Sequence, residues 1–73
     1  MRLYLELYEK VPVDQQELNV GGFMRFPLKS VEDAKPLLDS LSSFYDLSRY
    51  DIKIHYCFHD EGKPCKLENY KYP

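Results

Sequence analysis

Two segments of strict apolar–polar alternation flank one segment of helical spacing, and this arrangement decides most of what the chain can become. Residues 2–8, RLYLELY, send Leu3, Leu5 and Leu7 one way and Arg2, Tyr4, Glu6 and Tyr8 the other. Residues 50–59, YDIKIHYCFH, set Ile52, Ile54, Tyr56 and Phe58 against Asp51, Lys53, His55, Cys57 and His59. A period of two reads as a half-buried strand. Between them, KSVEDAKPLLDSLSSFYDL (29–47) repeats Val31, Ala34, Leu38, Leu41 and Tyr45 at helical spacing, with Leu37 and Phe44 widening the stripe. Two helix starts compete. Ser30 with Asp33 makes a capping box, but it leaves Pro36 in the helix interior at a cost of about 3 kcal/mol. With Asp33 as the N-cap, Pro36 falls in the first turn, where N–H groups lack partners anyway. The second start is the better one, preceded by a loose turn at 30–33.

The remaining segments complete the pattern. The stretch EKVPVDQQE (9–17) is a polar loop. In LNVGGFMRFPL (18–28), Val20, Met24 and Phe26 can share a strand face. Gly21-Gly22 suggests a bulge or a close backbone approach, and Pro27 is expected to end the ladder. DEGK (60–63) is a turn, and PCKLENYKY (64–72) is a final, weaker strand. The order β-β-α-β-β over residues 1–73 gives a single α+β domain. A helix joining two strands crosses over the sheet with right-handed sense. It makes the third strand parallel to the second, so the first fits between them. The expected sheet is four-stranded and antiparallel, in the order 2-1-3-4, with one helix on one face. The other face is then open to water or to a partner.

Composition narrows the function. Ten basic and 12 acidic residues give a net charge of −2, whereas a dedicated duplex-DNA binder usually carries a basic excess. No run of 18 apolar residues exists, so no membrane helix is expected. The N-terminus alternates and does not form an apolar block, so it is not read as a signal peptide. The expected location is cytoplasmic, where the two cysteines are reduced.

Both histidines and both cysteines lie in IKIHYCFHDEGKPC (52–65). A small zinc-binding domain using His55, Cys57, His59 and Cys65 is one reading. Strand geometry opposes it, because His55 and His59 are about 13 Å apart on a straight strand and neither recognised Cys or His spacing is present. A site would have to use one His, Cys57 and Cys65. The hairpin register decides whether the thiols meet. A three-residue loop with Gly62 in the left-handed region pairs His59 with Lys63 and sets Cys57 opposite Cys65. A four-residue loop pairs Phe58 with Cys65 and Tyr56 with Leu67, all toward the core. Because a one-residue slip inverts every side chain, patterning favours the second register, with Cys65 as a small core residue. No metal and no cofactor is therefore expected.

The chain offers no catalytic constellation, since Cys57 and its histidine neighbours on a flat sheet lack oxyanion donors and a water-excluding pocket. An enzyme is not expected. The open face is the more informative surface. Alternation places Tyr4, Tyr8, Phe23, His55 and Tyr70 there, interleaved with Arg2, Arg25, Lys53 and Lys66, while Glu6, Asp51 and Glu68 share it. Aromatic and basic residues on a sheet can stack single-stranded bases, which makes RNA binding the alternative reading. The acidic balance and the lack of an RNP signature favour a protein partner. The expected protein-binding surface is Tyr4, Tyr8, Phe23, Arg25, Lys53, His55 and Tyr70. The expected role is a small accessory subunit or inhibitor, of the general kind that viral and mobile-element proteins supply. A second copy of the chain could also pair along a sheet edge, giving a homodimer.

Overall fold

The computed structural model describes residues 1–10 and 22–72. Four strands, β1 (Arg2–Glu9), β2 (Phe23–Leu28), β3 (Tyr50–Cys57) and β4 (Lys66–Asn69), and one helix, α1 (Ala34–Leu41), make up its regular structure. The sheet order is β2-β1-β3-β4, with every neighbouring pair antiparallel. This is the order expected from the crossover. Residues 11–21, which include the predicted loop, Val20 and Gly21, lie outside the described residues.

Alternation carries through to packing. Leu3, Leu5 and Leu7 of β1 and Ile52 and Ile54 of β3 are buried under Ala34 and Leu38 of α1. Met24, Phe26 and Leu28 of β2 and Leu37 and Leu41 of α1 pack around them. Each buried Leu or Ile removes roughly 2 kcal/mol worth of apolar surface from water, and the two central strands hold five of the seven core residues. Pro27 sits inside β2, paired with Tyr4, and does not end the ladder. An edge strand tolerates it because its outer side needs no partner.

The helix is shorter than its sequence pattern. A 3₁₀ turn at Val31–Asp33 leads directly into α1, with Pro36 near its start, and neither Ser30 nor Asp33 caps it through a side chain. The start therefore agrees with the Asp33 reading, while the capping box does not form. At the other end α1 stops at Leu41. The Ser42 hydroxyl donates to the Asp39 carbonyl at 2.7 Å, a local bond of the kind that competes with helix continuation. Phe44 and Tyr45 consequently fall off the apolar stripe, and Phe44 is 81% exposed.

The hairpin register is the main correction. His55 pairs with Leu67 and Tyr56 with Lys66, so Cys57 stands opposite Cys65. The chain takes the turn-favoured register, through a 3₁₀ turn at His59–Glu61 and Gly62 at φ +70°. That left-handed conformation is one glycine adopts without steric cost. The objection from patterning fails because α1 is too small. A helix is about 10 Å across and strands are about 4.8 Å apart, so one helix shelters about two strands. Every residue of β4 is exposed. Lys66 and Glu68 thus lie on the helix side but beyond its reach, where they pair with each other and flank Tyr56. Tyr70, expected on the open face, belongs to the helix side and packs against the core with Tyr72. The Tyr72 hydroxyl donates to Asp39 Oδ1 at 2.6 Å and ties the tail to α1. β3 ends at Cys57, so Phe58 and His59 leave the strand and Phe58 is not packed into the core.

Candidate functional site on the open face

The uncovered face of the sheet presents Arg2, Tyr4, Glu6 and Tyr8 from β1, Phe23 and Arg25 from β2, Asp51, Lys53, His55 and Cys57 from β3, and Leu67 from β4. Cys65 sits just before β4 on the same face. Their placement follows from the registers. Glu6 pairs with Arg25 on one side and Lys53 on the other, Tyr4 with His55, and Tyr8 with Phe23 and Asp51.

Glu6 organises the centre. Its side chain is only 1% exposed although no second layer of the described residues covers the face. The burial comes from its neighbours. Oε1 accepts from the Tyr8 hydroxyl at 2.6 Å, and Oε2 accepts from Arg25 at 2.7 Å and from His55 Nδ1 at 2.8 Å. Burial alone would raise the carboxyl, but the bonds from Tyr8, His55 and Arg25 outweigh it and hold Glu6 below its ordinary value of 4.5. The same bond to Glu6 pushes the Tyr8 hydroxyl up. A buried carboxylate with three donors is a satisfied one.

An aromatic and cationic belt lies toward β2. The Arg25 guanidinium stands 5.0 Å from the Tyr4 ring centre and 5.6 Å from that of Phe23. The Phe23 and Tyr8 rings are 5.1 Å apart, and Lys53 Nζ lies 6.0 Å from the Tyr8 ring centre. Phe23 is 49% exposed. Of the sequence-predicted surface residues, Tyr4, Tyr8, Phe23, Arg25, Lys53 and His55 come together here, and Tyr70 does not.

A second constellation lies toward β4. A ring nitrogen of His55 and the sulfurs of Cys57 and Cys65 all lie within 4.8 Å of one another. The two sulfurs are 3.7 Å apart, and His59 Nε2 is 3.0 Å from Cys65 Sγ. Both thiols are free and half-buried. Burial raises Cys65 above its ordinary value, the Phe58 backbone works the other way, and the Cys57 thiol adds to the rise. His55 gives Nδ1 to Glu6, and its Nε2 is buried without a hydrogen-bond partner among the described residues. The reading of Cys65 as a core residue on the far face is thus corrected. The straight-strand estimate does not describe His59, which has left β3 and stands outside the 4.8 Å cluster. The chain turns after Cys57, and His59 folds back toward Cys65.

Comparison with known proteins found no matching family model, no matching curated protein and no matching solved structure. The functional argument therefore rests on this face.

Proposed function

We propose that the chain is a small, non-catalytic protein-binding module that recognises its partner through the Tyr4–Tyr8–Phe23–Arg25–Lys53 end of the open face, and serves as an accessory subunit or inhibitor in a reducing, cytoplasmic setting. The observation that carries this reading is the fixed Arg25. Its charge is held by buried Glu6 while its flat guanidinium lies against Tyr4 and Phe23. An Arg–aromatic cluster that is already ordered loses little freedom on binding, and such clusters dominate protein interfaces. The fitting partner is a protein surface with an apolar anchor for Phe23 and an acidic group for Lys53.

The same ion pair weighs against RNA. Nucleic-acid affinity grows with the number of phosphates neutralised, and Glu6 already neutralises Arg25, while Arg2 faces Asp60 at 3.5 Å. Two features support a non-catalytic role. Two grooves among the described residues, of about 280 and 250 Å³ and lined respectively around Pro27 and around Asn69, fall short of the usual ligand pocket, and neither is lined by a cysteine. A raised Cys65 thiol is also the opposite of an activated nucleophile.

The test is capture from the native host with and without nuclease, followed by titration of the purified partner. Phe23→Ala and Lys53→Ala are each expected to weaken the complex at least about tenfold, as interface hot spots do, with nuclease making no difference. Nuclease-sensitive capture, or a salt-dependent complex with single-stranded RNA, would replace this reading with the nucleic-acid one.

A further inference from the structure

The hairpin end of the same face carries a separate conclusion. We propose that Cys57, Cys65 and His55, joined by His59, form a structural zinc site. It rests on the β3–β4 hairpin and on Glu6 of β1, and holds whether or not the Phe23 end binds a partner.

Three observations converge. The first is the spacing of the sulfurs. Two thiolates on one tetrahedral zinc, each at about 2.3 Å, stand about 3.8 Å apart; Cys57 Sγ and Cys65 Sγ are 3.7 Å apart before any ion is considered. This spacing exists only because the β3–β4 register, with the chain turning through His59–Glu61 and Gly62, sets the two residues opposite each other. The alternative register would put the thiols on opposite faces.

The second is the state of His55. Glu6 is a carboxylate and can only accept, so the 2.8 Å contact fixes the proton on Nδ1. In the neutral ring Nε2 is then a bare lone pair, and it is buried with no partner among the described residues. An unpartnered buried acceptor is costly, and a metal ion satisfies it. Carboxylate–imidazole pairs of this form are the usual outer support of a metal-bound histidine. Glu6 would thus orient the ligand while its other bonds hold Arg25 and Tyr8.

The third is the convergence of donor atoms. Cys65 Sγ lies 3.7 Å from Cys57 Sγ and 3.0 Å from His59 Nε2, so a second imidazole nitrogen stands beside the thiol pair. His59 reaches this position from the 3₁₀ turn, so the spacing H-x-C-x-H-x₅-C combines two ligands from β3, one from the turn and one after it. Two thiolates with two imidazoles suit tetrahedral zinc. Four protein ligands leave no open position, so the site would be structural. It would pin β4, which has no buried residue of its own, to β3.

The experiment is titration of the reduced, metal-free full chain with cobalt(II), then zinc(II), without oxygen. One equivalent of cobalt should produce thiolate-to-cobalt charge-transfer absorption with tetrahedral ligand-field bands, and one zinc should displace it. Zinc at about a hundredfold over its Kd should raise Tm by about 10–20 °C. Loss of an outer partner weakens such sites roughly 10–100-fold. Glu6→Gln should fall in that range, and Cys57→Ser and Cys65→Ser should each exceed it. His59→Ala is at an exposed position where folding is not at stake, and it should weaken zinc at least about tenfold. The proposal is overturned if the wild type gives no charge-transfer band, if Cys65→Ser keeps wild-type zinc affinity, or if the reduced chain takes copper(I) but no zinc.

Discussion

The two faces of one sheet bury their side chains by different means. On the helix side, Leu5, Leu7 and Leu38 are fully buried because a second layer lies over them. On the open side, Glu6 is equally buried with no layer of the described residues above it. Tyr4, Tyr8, Arg25 and His55 surround it and each other. The covered face is held by non-directional apolar contact, so it tolerates changes in detail. The open face is held by directed bonds to one carboxylate, so its side chains have fixed positions and their outer surfaces remain free. Both faces stabilise the fold, and only the second also fixes the direction of its exposed side chains.

The contrast can be broken by mutation. Leu38→Ala or Leu5→Ala should cost the most, about 3–4 kcal/mol in urea unfolding, since each opens a cavity in a small core. Glu6→Ala should follow at about 3 kcal/mol, because it strands His55 Nδ1, Tyr8 and Arg25 together. A neutral Glu6→Ala would show that the open face is not organised around that carboxylate. Its pH dependence has a definite sign. The Glu6 carboxyl is held below 4.5 in the folded chain, so its stabilisation is present above pH 4.5 and fades as pH falls through the lower folded value. Thermal unfolding followed across this range should fall less steeply in Glu6→Gln than in the wild type. Tyr72→Phe removes one bond to Asp39 on the helix side and should cost about 1 kcal/mol. Phe23→Ala should change stability least, by less than about 0.5 kcal/mol, because the ring rests on the open face and fills no core.

Most of the architecture was legible in the alternation. RLYLELY and YDIKIHY carry the central strands; Leu3, Leu5, Leu7, Ile52 and Ile54 became the core, Tyr56 packs at its edge, and Phe58 left the strand. Sheet order followed from crossover geometry, since one helix between two strands leaves β1 only one place to pair on both sides. The edges were harder to read. Patterning assumed that every strand residue on the helix side is buried, and β4 lies beyond the width of one helix. Gly62 was the better guide to register, because a left-handed turn residue is a local constraint that needs no knowledge of what the helix covers. Phe44 and Tyr45 extended the helical spacing past Ser42-Ser43, and the serine pair was the signal that the helix stops. The candidate site was half legible. Tyr4, Tyr8, Phe23, Arg25, Lys53 and His55 were placed by parity alone. The role of Glu6 was not, because parity shows which residues share a face and not which one the others enclose. The meeting of Cys57, Cys65 and His59 depended on the register, and it was lost when the wrong register was preferred.

Two exposed phenylalanines allow the central claim, that the open face is the binding surface, to be tested by one paired measurement. Phe23 lies on the open face, 49% exposed; Phe44 lies past the end of α1 on the opposite side and is 81% exposed. If exposure alone selected the binding surface, Phe44 would be the anchor. Isothermal titration of the purified partner against Phe23→Ala and Phe44→Ala, with both variants matched to wild type in thermal unfolding, separates the two. The account predicts that Phe23→Ala weakens the complex at least about tenfold and that Phe44→Ala binds like wild type. Loss of binding in Phe44→Ala with wild-type affinity in Phe23→Ala would place the partner on the other side of the molecule and contradict it.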